Sequence, residues 1–142
     1  LLYFGKQKYV SLPKQKNNFI MNTTLWIAQG ILAAMFAMAG VMKSTQPIEK
    51  LMKSGLNWVE RVPVSTVRII GLSELLGAIG LILPLALGIL PILTPIAAVG
   101  LAVIMILAVV HHLKHKENKA IVFNAFLFAL AVFIAYGRFT AL

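Results

Sequence analysis

The chain contains no cysteine. That excludes a disulfide framework, thiol catalysis and any thiolate-bound metal or iron–sulfur centre. It is silent about compartment. Charge is also scarce. Of the 142 residues, 12% are charged, where a soluble globular chain carries nearer a quarter. Acids are scarcest: Glu49, Glu60, Glu74 and Glu117 are the only ones. There is no HExxH, phosphate loop, serine elbow or pair of catalytic carboxylates. Catalysis of the soluble type has no support, and whether the chain is an enzyme stays open.

What is present is apolar sequence. Hydrophobic residues make up 60% of the chain, and the mean hydropathy is +0.90. The excess lies in long runs, so the expected class is all-α: an integral membrane four-helix bundle in one domain. The net charge of +9 invites a nucleic-acid reading. The basic residues instead flank apolar runs, and no basic–aromatic motif accompanies them. The expected partner is the lipid bilayer, with other membrane subunits or further copies of the chain, and not nucleic acid.

Residues 1–20 carry Lys6, Lys8, Lys14 and Lys16, no acid and no apolar core of a secretory signal. Met21-Asn-Thr-Thr resembles a natural start. The first twenty residues therefore read as a poorly ordered basic extension or an expression remnant. The alternative is a basic arm on anionic headgroups. Residues 21–142 form the single membrane domain.

Four spans are expected at about 24–42, 65–87, 92–113 and 120–136, each near the roughly 20 residues a crossing needs. In the first, Gly30, Ala33, Ala37, Gly40 and Ser44 recur at three- and four-residue steps, a close-packing seam. Trp26 belongs at an interface, and Gln29 nearby reads as headgroup-solvated. Between spans 1 and 2, Ile48, Leu51, Met52, Leu56 and Val59 share one face. This predicts an interfacial amphipathic helix interrupted at Gly55, with a solvated loop as the alternative.

The second span, Arg68 to Pro84, organises the rest because it carries Glu74 well inside it. An acid in hydrocarbon costs roughly 2.5–3.5 kcal/mol on insertion scales, so it is retained for a partner or a function. Gly71, Glu74, Gly77 and Ala78 lie on one side of that helix, which places the acid inside the bundle.

Four crossings bring the ends of spans 1 and 3 and the starts of spans 2 and 4 to one face. That face holds Lys43, Lys50, Lys53, Arg61, Lys114, Lys116 and Lys119; Arg138 lies opposite. The positive-inside rule then predicts cytoplasmic polar loops and external termini, in the plasma membrane if the source is bacterial. The tail lysines pull against that orientation.

The same topology gathers Lys43, Arg68, Glu74, His111 and Asn124. At about 1.5 Å per residue, Glu74 lies roughly 9 Å deeper than Arg68. A polar pocket open toward the loop face, floored by Glu74, is the expectation. Each member has a plainer reading. Arg68 and Lys43 can snorkel, Asn124 can bridge two helices, and Glu74 can be a structural ion pair with Arg68, Lys43 or His111. His112 and His115 read as solvated, because only His111 shares the small-residue face. With so few ligands in fixed geometry, no metal is expected, and a second axial histidine for haem is missing.

Three motifs recur in order: Ala39-Gly-Val-Met-Lys43, Arg68-Ile-Ile-Gly-Leu-Ser-Glu-Leu-Leu-Gly77, and Ala108-Val-Val-His111. Over residues 24–139 the chain resembles the DoxX-like family. The resemblance implies a small four-helix membrane protein whose relatives include subunits of quinone-linked oxidoreductases and assembly factors. It marks Lys43, Arg68, Glu74 and His111 as the family-like polar residues. A quinone cofactor rests on this analogy alone, and the lack of cysteine separates the chain from membrane thiol–disulfide enzymes.

The leading expectation is an accessory subunit binding a small amphiphile, quinone or lipid, with proton exchange at Glu74 and His111. A non-enzymatic assembly or scaffolding protein is the alternative. A small-solute transporter ranks third, since four spans are few and none is broken at midplane.

Overall fold

The computed structural model describes the backbone of residues 2–142 and the side chains of residues 16–142. The order is α1 (Leu2–Thr45), α2 (Ile48–Lys53), a 3-10 turn (Asn57–Arg61), α3 (Val64–Leu87), α4 (Leu93–Lys114) and α5 (Asn118–Ala141). Four stretches are long and apolar enough to cross a membrane: Lys16–Thr45, Val64–Leu87, Leu93–Lys114 and Asn118–Ala141. The expected spans at 24–42, 65–87 and 120–136 lie within them, and the one at 92–113 starts a single residue before the third. The first is longer than expected, since α1 is continuous through residues 16–24. The expectation of a poorly ordered arm over residues 1–20 falls largely on side chains outside the described set.

The helix ends follow from local chemistry. Gly88 closes α3 in the left-handed region at φ 68°. Its N–H bonds the Leu85 carbonyl, and the N–H of Ile89 bonds that of Pro84, which is the Schellman arrangement. Lys116 closes α4 the same way at φ 56°, with Glu117 N–H on the His112 carbonyl. A non-glycine residue in this region is uncommon, and here it turns Glu117 back toward the end of α4.

The four long helices form a ring. α1 packs most extensively on α3 and α4 on α5; α3 joins α4, and α1 meets α5 along the thinnest seam. The core is Leu32, Phe36, Leu81, Leu101, Met105 and Ile134, interleaved with Ala78, Ala98 and Ala131. Outward-facing Ile, Leu, Val and Phe cover the remaining faces. Such a surface suits acyl chains, and against lipid the helices associate by close contact rather than by the hydrophobic effect.

The segment between α1 and α3 differs from its sequence reading. The interruption expected at Gly55 is there, with α2 only six residues long and Gly55 at φ 95° before the 3-10 turn; the difference lies in where the apolar face goes. Its apolar residues are used inside the protein. Leu51 and Val59 are buried against Val67, with Met42, Ile48 and Trp58 around them. The periodicity was real, but the partner is the end of the bundle.

Candidate functional site

The closest approach of two backbones decides where the charged residues meet. A Cβ on Gly40 would lie 2.7 Å from the Gly71 carbonyl oxygen. A Cβ on Gly71 would lie 2.7 Å from the Lys43 Cβ and 2.8 Å from the Ser44 nitrogen. Only glycine fits on either side. One turn beyond this contact on each helix come Lys43 and Glu74. The ammonium of Lys43 donates to both carboxylate oxygens, at 2.8 and 2.9 Å. Glu74 is 2% exposed and Lys43 9%, so the pair is shielded from lipid and water alike.

Arg68 does not join the pair. Its Nη1 donates to the carbonyls of Lys43 at 2.8 Å and Gln46 at 2.6 Å. It therefore satisfies acceptors that the end of a helix leaves without intrahelical partners. By holding the Lys43 backbone it positions the ammonium. Trp58 lies against Lys43, with the nitrogen 5.6 Å from its ring centroid, near the separation at which a cation gains from an aromatic face. His111 follows, edge-on to Trp58 at 6.3 Å between ring centres. Its Nε2 is buried and has no hydrogen-bond partner among the described residues.

Of the five candidates from sequence, the structure thus pairs Lys43 directly with Glu74, ties Arg68 to the same turn, and links His111 through Trp58. Asn124 stands apart: its amide donates to the Ala120 carbonyl of its own helix, at 2.8 Å. Trp58 escaped the sequence reading because its neighbours set the apolar periodicity.

His112 corrects another expectation. It is buried rather than solvated, 8% exposed, and its Nδ1 lies 2.6 Å from Glu117. Arg61 reaches the other oxygen of Glu117, also at 2.6 Å. These contacts fasten the 3-10 turn to the α4–α5 connection and lay that turn over the ion pair. Hydrogen bonds from Arg61 and then His112 hold the Glu117 carboxyl below its usual pKa. Among the described residues, no group of three or more His, Asp or Glu is placed to hold a metal ion.

A second polar group occupies the opposite end. Gln29 is fully buried and donates to the Leu81 carbonyl at 2.5 Å. Arg138 donates to the Gln29 oxygen at 2.5 Å and to Asn22 at 2.7 Å, with its guanidinium 5.0 Å from the Trp26 ring centre. Headgroup solvation of Gln29 is therefore replaced by an internal bond. The signal was in the sequence, a primary amide inside an apolar run, and an early helix start would have revealed it.

A family comparison bears on the chain as a whole: the model of the DoxX-like family matches residues 27–134, which run from α1 into α5. The chain belongs to the DoxX-like family. No curated protein and no solved structure gives a significant match. With four apolar spanning-length helices, this DoxX-like protein is a multi-pass membrane protein.

Proposed function

We propose that this DoxX-like protein is an accessory membrane subunit that holds the polar end of a small amphiphile, a quinone or a lipid, beside the Lys43–Glu74 pair. The observation that supports this reading is the unpartnered, buried Nε2 of His111. It stands next to an aromatic wall, Trp58, that also touches the Lys43 ammonium. A buried polar nitrogen without a partner is costly, and a ligand hydroxyl or carbonyl would satisfy it. In this reading the proton exchange expected at Glu74 and His111 reaches the headgroup through the His111 Nε2. Purification in mild detergent, with mass spectrometry of the bound lipids and quinones, tests this. One amphiphile class should accompany the wild type and be lost from Glu74→Gln and His111→Phe. Equal recovery from all three proteins would sink the reading.

A specific observation favours assembly as a second reading. A groove of about 330 Å³ runs between α3 and α4, lined by Ser73, Gly77, Ala97 and Gly100. Small residues on an outward face allow a partner helix to approach. A Cβ at Gly100 meets nothing within 4 Å, so Gly100→Phe should fold normally and lose any partner subunit. Nothing in the continuous helices favours transport. The basic loop end leads us to place both polar loops in the cytoplasm; a C-terminal reporter found in the cytoplasm would reverse that.

A further inference from the structure

The end of the bundle opposite the ion pair holds a cation without a counter-charge. Arg138 is 5% exposed. Its partners are neutral: the Gln29 and Asn22 amide oxygens and the face of Trp26. Among the described residues its Nη2 has no hydrogen-bond partner. No carboxylate side chain can reach it, because the four glutamates lie at positions 49, 60, 74 and 117. The described ion pairs use Glu74 and Glu117, both toward the loop end. Burying a guanidinium with no anion is unfavourable, and proteins normally pair it.

Arg138 also forms part of the wall of a cavity of about 450 Å³. The rest of the wall includes Asn18, Asn22 and Thr140, with Leu25 and Gly137. The cavity thus combines an always-charged planar donor, two amides and a hydroxyl with an apolar side. Guanidinium groups recognise the oxygens of phosphate through charge-assisted hydrogen bonds. Its place beside Asn18 and Asn22 on α1 and Thr140 on α5 puts it at the end of the spanning segments, where lipid headgroups lie.

We propose that this cavity binds the phosphate of an anionic phospholipid headgroup, with Arg138 as the charge partner and Asn22 and Thr140 as flanking contacts. The site is separate from Lys43–Glu74 and stands whether or not an amphiphile binds there. A net negative ligand is required, since a zwitterion brings its own cation into the same space.

The test uses the full chain in neutral detergent, titrated with short-chain phosphatidylglycerol, phosphatidylcholine or inorganic phosphate. Binding is followed by native mass spectrometry and by thermal stability. Phosphatidylglycerol should bind and raise the melting temperature, and phosphatidylcholine should bind at least about tenfold more weakly. Stabilisation by inorganic phosphate alone, without the lipid, would assign the site to free phosphate and overturn the lipid source. Arg138→Gln should abolish the lipid effect. Because that variant removes internal bonds as well, Asn22→Asp provides the deciding arm. It places a carboxylate against Arg138 with almost no change of shape, so it should raise the stability of the lipid-free protein and remove the response to phosphatidylglycerol. An unchanged lipid response in Asn22→Asp would overturn the proposal.

Discussion

Replacing Lys43 with methionine keeps most of the side chain's length and removes its charge. Glu74 is then left in the bundle without the one ion-pair partner it has among the described residues. At about 2.8 Å, with an effective dielectric near 20, the Coulomb attraction is roughly 6 kcal/mol. Desolvation costs of several kcal/mol per ion offset most of it, so the intact pair contributes little net stability. Breaking it from one side is different, because the carboxylate's desolvation is no longer compensated. The expected loss is about 3–5 kcal/mol for Lys43→Met. The double variant Lys43→Met/Glu74→Leu should fall within about 1 kcal/mol of wild type or exceed it. Reversible unfolding in mixed detergent micelles, followed by circular dichroism, of wild type, Lys43→Met, Glu74→Leu and the double variant gives the four free energies and the coupling between the sites. Arg68 bonds the backbone of Lys43 and not its ammonium, so the cap on α1 survives in both variants. A loss below about 1 kcal/mol for Lys43→Met, or a double variant as damaged as the sum of the singles, would refute the account of a buried, mutually dependent pair.

Other expectations concern single positions. Gly71→Ala should cost about 1–3 kcal/mol by overpacking, since its Cβ meets backbone of α1 at 2.8 Å; Gly30→Ala, with nothing within 4 Å, should be neutral or stabilising by up to about 1 kcal/mol. The same unfolding assay separates them, and equal effects would deny that the α1–α3 crossing sits at Gly71. Arg68→Met should lose about 1.5–3 kcal/mol per charge-assisted bond at the end of α1, seen as faster amide exchange in residues 43–46; unchanged exchange would remove its capping role. The Glu117 clamp should respond to acid. Its folded pKa lies below the ordinary 4.5, so its contribution is complete above about pH 4.5 and is lost as pH falls through the lower folded value. Trp58 fluorescence in a Trp26→Phe background should report the release, and Glu117→Gln should abolish that step; a step that persists would place its origin elsewhere.

Much of this was legible because membrane sequences are sparse in polar residues. Glu74 stood out in an apolar run, and its glycine neighbours gave its side of the helix. Lys43 followed from topology, since adjacent antiparallel helices bring the end of one beside the start of the next. What failed was azimuth and reach. His111 and His112 differ by one residue, about 100° around the helix, and small-residue neighbours did not predict that the α4–α5 turn would fold Glu117 back onto His112. Asn124 lay at the right depth, but its side chain turned to its own backbone, a local bond that spacing cannot foresee. Gln29 and Arg138 were hidden by an assumed late start for α1. With that start moved outward, a glutamine inside the first span would have demanded a partner.

The ring of helices closes between its first and last members, where the shared surface is smallest. There the staves are laced by Arg138, reaching across to Gln29 and Asn22, while Leu25 fills the notch at Gly137. A barrel tied at that single join parts first where the lace is cut. Loss of the last five residues would remove Arg138 and open the join between α1 and α5, leaving the four helices connected in series through the wider α1–α3, α3–α4 and α4–α5 seams.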